Sequence, residues 1–346
     1  MNYKPTVIGC FLTLLITWTW TSGFLSQSGN EMTVDRNDDR KNIQVELIVR
    51  EEEKKVEIFI DGGYFTSYLY SGFFKKPVLY PVNTARGTAI TRGFPLDPRP
   101  GESTDHPHHV GLWLNYGDVN GLDFWNNSNN VSPEKADHYG SIAHKLIQSI
   151  SSGEGQGELT VAMDWVGPGG EVLLTEHTTF VFKGSGNVRM IDRITKLTAP
   201  DQEVSMKDNK EGMLGLRVRR ELEHPDEHFE ATGIYRSSEG LEGYDVWGTR
   251  GKWVNLTGWI GDEQVSVAIL DHPDNVGHPT YWHARGYGLF AANPLGQRAL
   301  SGGDDELDFS IAAGETVTFK HRVVIYSGDG VTDDRVNADW NEFAGS

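Results

Sequence analysis

Three histidines fall within four positions in Thr104-Asp105-His106-Pro107-His108-His109, the densest concentration of chemically capable side chains in the chain. Imidazole changes charge near neutral pH and also ligates metals. Pro107 disfavours a helical His106 and pushes it toward extended backbone. Along an extended chain, residues two apart project to one side. His106 and His108 are therefore expected to converge on one target, as an acid/base pair or as two ligands of a divalent metal, with His109 turned away. Asp105 is the neighbour that would orient or charge one of them. The alternative is a loop packed by histidine hydrogen bonds.

A second segment, Asp271-His272-Pro273-Asp274-Asn275-Val276-Gly277, repeats Asp105–Gly111 at five of seven positions. The chain then adds His278, Tyr281, Trp282, His283 and Arg285. Pro273 and Pro279 exclude a regular helix, so any ligands here converge from a loop and its adjoining strands. His283 is expected to join His106 and His108 as a catalytic or metal-binding group. His272, His278, Trp282 and Arg285 are expected to contact substrate in a polar, aromatic pocket. Chance similarity between the two Asp-His-Pro segments is the competing reading.

Three further stretches are candidates. Lys207-Asp208-Asn209-Lys210-Glu211-Gly212 interrupts apolar strands; Glu211 could be the base or ligand beside the histidines and Asp208 a substrate contact, or the stretch is a solvated turn. Trp113 and Trp125 could form a stacking floor for a sugar ring, or sit in the core. Arg250, between Trp247 and Trp253, suits carboxylate or sulfate recognition, or opens a hairpin. There is no Gly-x-Ser-x-Gly elbow, Walker loop or Rossmann fingerprint.

The elements that must position these groups are strands. QVELIVREEEKKVEIFIDG gives two alternating runs around a charged turn, the pattern of a hairpin. Runs such as GELTVAMDWV, TEHTTFVFK and TFKHRVVIY alternate with period two and are separated by Gly-rich turns, with no long stretch of helical period. This density predicts an all-β fold, a large antiparallel β-sandwich with few short helices.

Composition narrows the function. Lys plus Arg number 31 against 49 Asp plus Glu, a net charge of −18, which repels nucleic-acid phosphates and anionic membrane surfaces. A small molecule or oligosaccharide is the expected partner. Val7 to about Phe24 is apolar and uncharged behind one early lysine, the layout of a secretory signal. Residues 1–25 are expected to be a cleaved signal, 26–42 a flexible lead, 43–330 one sandwich domain and 331–346 a C-terminal tail. The protein is then periplasmic or extracellular, with no stable membrane insertion after cleavage. Cys10 is the only cysteine, so the mature protein would hold any divalent metal by nitrogen and oxygen ligands.

DHPHHVGLW, GDVNGLDFW, KEGMLGLRV, WGTRGKWVN and VAILDHPDNVGHPTYWHARGYGLFAANPLG together resemble the family labelled methane oxygenase PmoA. A membrane methane monooxygenase subunit would be a bundle of long apolar helices, so the label is read as a naming accident. The ending FSIAAGETVTFKHRVVIY is similar to the last strands of galactose-mutarotase-like sandwiches, which implies a supersandwich with a sugar-sized concave face. The function expected is an exported carbohydrate-active enzyme using histidine acid/base chemistry, with metal assistance an option. The alternatives are a non-catalytic carbohydrate-binding sandwich and a His/carboxylate iron oxygenase.

Overall fold

The computed structural model describes residues 43–226, 230–328 and 330–346. The expected signal and lead, residues 1–42, lie outside the described residues. From Gln44 the expected hairpin forms: Gln44–Arg50 pairs antiparallel with Lys55–Ile60. Period-two burial is plain in Gln156–Val166, where Leu159, Val161, Met163 and Trp165 point inward and the residues between them do not. Such strands bury one face only, so they must stack on a second layer.

The described residues do this with two large sheets. A nine-stranded sheet runs Tyr281–Ala284, Leu289–Asn293, Gly212–Arg217, Leu112–Tyr116, Val78–Val82, Gly63–Leu69, Lys55–Ile60, Gln44–Arg50 and Gly153–Glu154. An eight-stranded sheet begins at Ile234–Ser237 and ends at Ser141–Ser151, with Glu263–Asp271 and Thr316–Ser327 adjacent near its middle. Their pairings are antiparallel throughout, as expected of a large β-sandwich. The main core lies between the sheets and includes Val56, Ile58, Leu214 and Leu216 from one, and Leu159, Phe180, Val267 and Ile325 from the other.

Each outer face also carries a smaller apolar cluster. On the eight-stranded sheet, Val336, Trp340 and Phe343 pack against Trp253, Leu270 and Val324. They belong to a helix, Asp333–Ala344, whose N-cap Thr332 accepts the Arg335 N–H. The segment expected to be a tail is thus a docked helix, because its few apolar residues fall at i, i+4 and i+7. On the nine-stranded sheet a smaller cluster contains Val110, Trp113, Trp125, Leu289 and Ala291, and this outer face carries the candidate site. Among the described residues no helix is long and apolar enough to cross a membrane.

Candidate functional site

Strand alternation decides which side chains reach the outer face. In Gly212–Arg217, Leu214 and Leu216 enter the main core, so Gly215 and Arg217 face outward. Gly215 must be small: a Cβ there would lie 2.5 Å from the Trp113 indole. Arg217, fully buried, donates through Nη2 to Asp105 Oδ1 at 3.0 Å and approaches His109 Nδ1 through Nη1 at 3.3 Å. A second buried guanidinium, Arg92, donates to Asp105 Oδ1 at 2.8 Å and to the carbonyls of His106 and His109 at 2.9 and 3.1 Å. Two arginines therefore clamp the histidine loop from beneath.

That clamp overturns the expected extended geometry. His106 has φ +43°, in the left-handed region, and the His109 N–H returns to the His106 carbonyl at 2.9 Å. The loop is a turn, so His106 stacks face to face on His109, with rings parallel within 2° and 4.8 Å apart, and meets the His108 ring edge-on at 5.7 Å. Tyr287 stacks on the other side of His106 at 5.2 Å, and Trp113 continues beyond His109 at 5.3 Å. A non-glycine residue held at positive φ before a proline is strained, and such strain concentrates at functional sites.

The three histidines differ in environment. His106 is two-fifths exposed, with Nδ1 2.7 Å from Asp105 Oδ2. Its N–H is not aimed straight at that oxygen, so Asp105 acts chiefly through its charge, which favours the proton on Nδ1 and leaves Nε2 as an acceptor. Asp105 stays ionised: burial opposes this, but the His106 contact and the Arg217 charge hold its carboxyl well below the usual range. His108 is buried, and burial with the nearby Lys76 ammonium pushes its imidazole down to about 2. Its imidazole is held neutral there. His109 is likewise held neutral by burial and its cationic neighbours.

Next to this cluster opens a cavity of about 430 Å³, with Glu223, His224, Tyr244, Trp247, Arg285 and Tyr287 among its walls. Glu223 Oε1 lies 3.9 Å from Arg217 Nη2, so Arg217 joins the cavity to Asp105. Burial pushes the Glu223 carboxyl up to about 7 despite that guanidinium. A carboxyl that exchanges its proton at neutral pH can serve as general acid or base. Tyr244 and Trp247 are exposed at the mouth, where aromatic faces suit a sugar ring. Arg92, Arg217, Glu223 and Tyr287 are not among the residues that the sequence motifs single out. The Glu223-His224-Pro225-Asp226 run after a strand, a further His-Pro pair, was the available signal.

Other expected site residues divide. Arg285 lines the cavity. His283 is buried on the same outer face, its Nδ1 4.0 Å from Glu211 Oε2, while Glu211 also pairs with Lys210 at 3.1 Å. Burial and nearby cations push His283 down to about 4. The expected metal set of His106, His108 and His283 is not assembled: among the described residues no group of three His, Cys, Asp or Glu side chains could hold an ion. Trp113 and Trp125 have no exposed surface; they floor the histidine loop and offer no open sugar platform.

The remaining candidates are structural. Asp208 accepts the Arg298 and Ala299 N–H groups at 2.7 and 3.1 Å, holding the short helix Gln297–Ser301. Arg250 is committed to Asp305 at 2.9 Å and Gln297 at 3.0 Å. Trp282 is buried and donates to the Gly251 carbonyl. In the second Asp-His-Pro segment, buried Asp271 accepts from Asn275, Thr280 N and His278 at 2.7, 3.0 and 2.7 Å. His272 packs on Phe343 and His278 on Trp340, both of the C-terminal helix. The echo is thus one of sequence: the first segment frames the site, and the second anchors a helix.

Among solved structures, the chain is similar to the galactosidase domain of the alpha-galactosidase–sucrose kinase AgaSK, at 9% identity and TM-score 0.40, covering 82% of this chain and 42% of that one. It is also similar to the GH36 alpha-galactosidase AgaB of Geobacillus stearothermophilus, at 11% identity and TM-score 0.40, covering 82% and 41%. A third likeness is to the Slr1438 protein of Synechocystis sp. PCC 6803, at 9% identity and TM-score 0.34, covering 83% and 96%. The chain spans less than half the length of the first two, and likenesses this distant carry no argument about activity. No curated protein matches the sequence. The expected kinship with the family labelled methane oxygenase PmoA is overturned by the family profile that does match, over residues 55–341: this chain belongs to DUF6807, a family of unknown function.

Proposed function

We propose that this protein is a carbohydrate-active enzyme that transfers protons on a sugar bound in the Glu223–Tyr287 cavity. The observation that carries the reading is the pairing, across one arginine, of a carboxyl raised to about 7 by burial with an imidazole oriented by its own carboxylate. A sugar seated on Tyr244 and Trp247 and reaching past Tyr287 meets both groups. Protonated Glu223 gives its proton to a departing oxygen, while His106 Nε2 takes one from water or from carbon. Hydrolysis and elimination both require such a pair. Arg217 stabilises the charge that develops between them. Export, expected from the N-terminal sequence, is part of the same proposal.

The test is turnover of a panel of polysaccharides and oligosaccharides by the full chain, followed by proton NMR. At least one should be consumed, with Glu223→Gln and His106→Ala each lowering kcat about 100-fold or more, the usual contribution of a positioned acid or base, while the fold and glycan binding persist. Full activity of Glu223→Gln ends the proposal. Glycan binding without turnover would replace it with a non-catalytic carbohydrate-binding role.

A further inference from the structure

Arg285 differs from every other arginine near the site. Arg92 and Arg217 converge on Asp105, and Arg219 is fixed on Glu221. The Arg285 guanidinium lies over the rings of Trp247 at 5.5 Å and Tyr287 at 5.7 Å. Among the described residues it makes no hydrogen bond or ion pair. The two rings fix where the cation sits, yet its N–H donors remain uncommitted, a fork that matches a carboxylate.

The rest of the cavity favours an anion there. Neither carboxyl at the wall, Glu223 or Asp226, hydrogen-bonds or ion-pairs with Arg285, and burial raises the Glu223 carboxyl to about 7, so that it is protonated below that pH. Arg285 is exposed at the cavity wall, so its free N–H donors face the space that a ligand would enter. Trp247, exposed at the mouth, thus sets the cation beside the aromatic lip on which a sugar ring would lie.

We infer that the substrate is a sugar bearing a carboxylate, of the uronic acid class, whose carboxylate is held by Arg285 while its ring lies on the Trp247–Tyr244 lip. This rests on the proposed sugar-binding reading of the cavity. The planar fork of arginine makes a bidentate contact that lysine cannot copy, so Arg285→Lys retains attraction but loses orientation.

The experiment is calorimetric binding to the full chain of glucuronate, galacturonate, mannuronate and guluronate, as monomers and short oligosaccharides, against matched neutral sugars and sulfated neutral sugars. At least one uronate should bind tenfold or more tightly than its neutral counterpart. Arg285→Gln should erase that difference without lowering the thermal midpoint, and Arg285→Lys should restore only part of it. Equal or tighter binding of neutral sugars, or a preference for sulfated ones, overturns the uronate assignment and leaves the sugar site standing. Absence of binding by every sugar, charged or neutral, overturns this inference together with the reading beneath it.

Discussion

Replacing Glu223 with Gln tests the electrostatics of the site independently of any substrate. The carboxyl is held near 7 against an ordinary 4.5, chiefly by burial. Between those two values the unfolded chain carries this glutamate ionised and the folded protein carries it protonated. The folded state then holds more protons, so stability falls as pH rises through that window and the loss is complete above about 7. At ~1.4 kcal/mol per pH unit the full penalty would be about 3 kcal/mol. Partial solvent access reduces it to about 1–2 kcal/mol. Gln keeps the shape and carries no proton to titrate. For a chain of this size the difference corresponds to roughly 2–4 °C in Tm. Thermal melts of the two proteins from pH 4.5 to 8.5 should therefore nearly coincide at the acid end and separate by that amount at pH 8, the variant being the more stable. Subtracting one curve from the other cancels every group the two proteins share. A difference that stays flat across the range would refute the reasoning, because Glu223 would then titrate as an ordinary surface carboxylate.

Two further substitutions separate site from scaffold. Asp271→Ala removes the acceptor for two buried donors and the half-buried His278 and should cost about 3–5 kcal/mol in urea unfolding, with turnover per folded molecule unchanged; lost turnover at full stability would return the second Asp-His-Pro segment to the site. Gly215→Ala drives a methyl into the Trp113 ring and should cost about 1–3 kcal/mol, with near-ultraviolet circular dichroism reporting the displaced indole; an unchanged spectrum and midpoint would show that the outer face is loosely packed.

The fold was legible where one rule governed one element. The hairpin of Gln44–Ile60 and the long strands announce themselves by alternation, since a sheet facing a core has no other way to be amphipathic. The helix Asp333–Ala344 was harder to read: Val336, Trp340 and Phe343 are thin apolar cover in a charged segment, and they suffice only because Trp253 and Leu270 stand opposite. The site was legible in its histidines and opaque in what controls them. Pro107 argues for extended backbone at His106, but Arg92 reaches the carbonyls of His106 and His109 from a distant part of the chain and folds the turn shut. Glu223 looks like any surface glutamate in the sequence. Its altered acidity comes from burial supplied by residues remote in sequence, which no local spacing encodes. Of the two readings open for Trp113 and Trp125, a sugar floor or the core, the structure takes the second, because the fold has a further apolar layer beneath the histidine loop.

The rings of Tyr287, His106, His109 and Trp113 form one column, from the cavity wall to an indole that solvent never touches. Rings in face contact cannot slide or tilt one at a time without opening a gap beneath them. A ligand that displaces Tyr287 must therefore shift the whole column, and the message arrives at Trp113. An imidazole beside an indole alters its emission, so Trp113 becomes an internal optical witness to events in the cavity, placed where no solute can quench it directly.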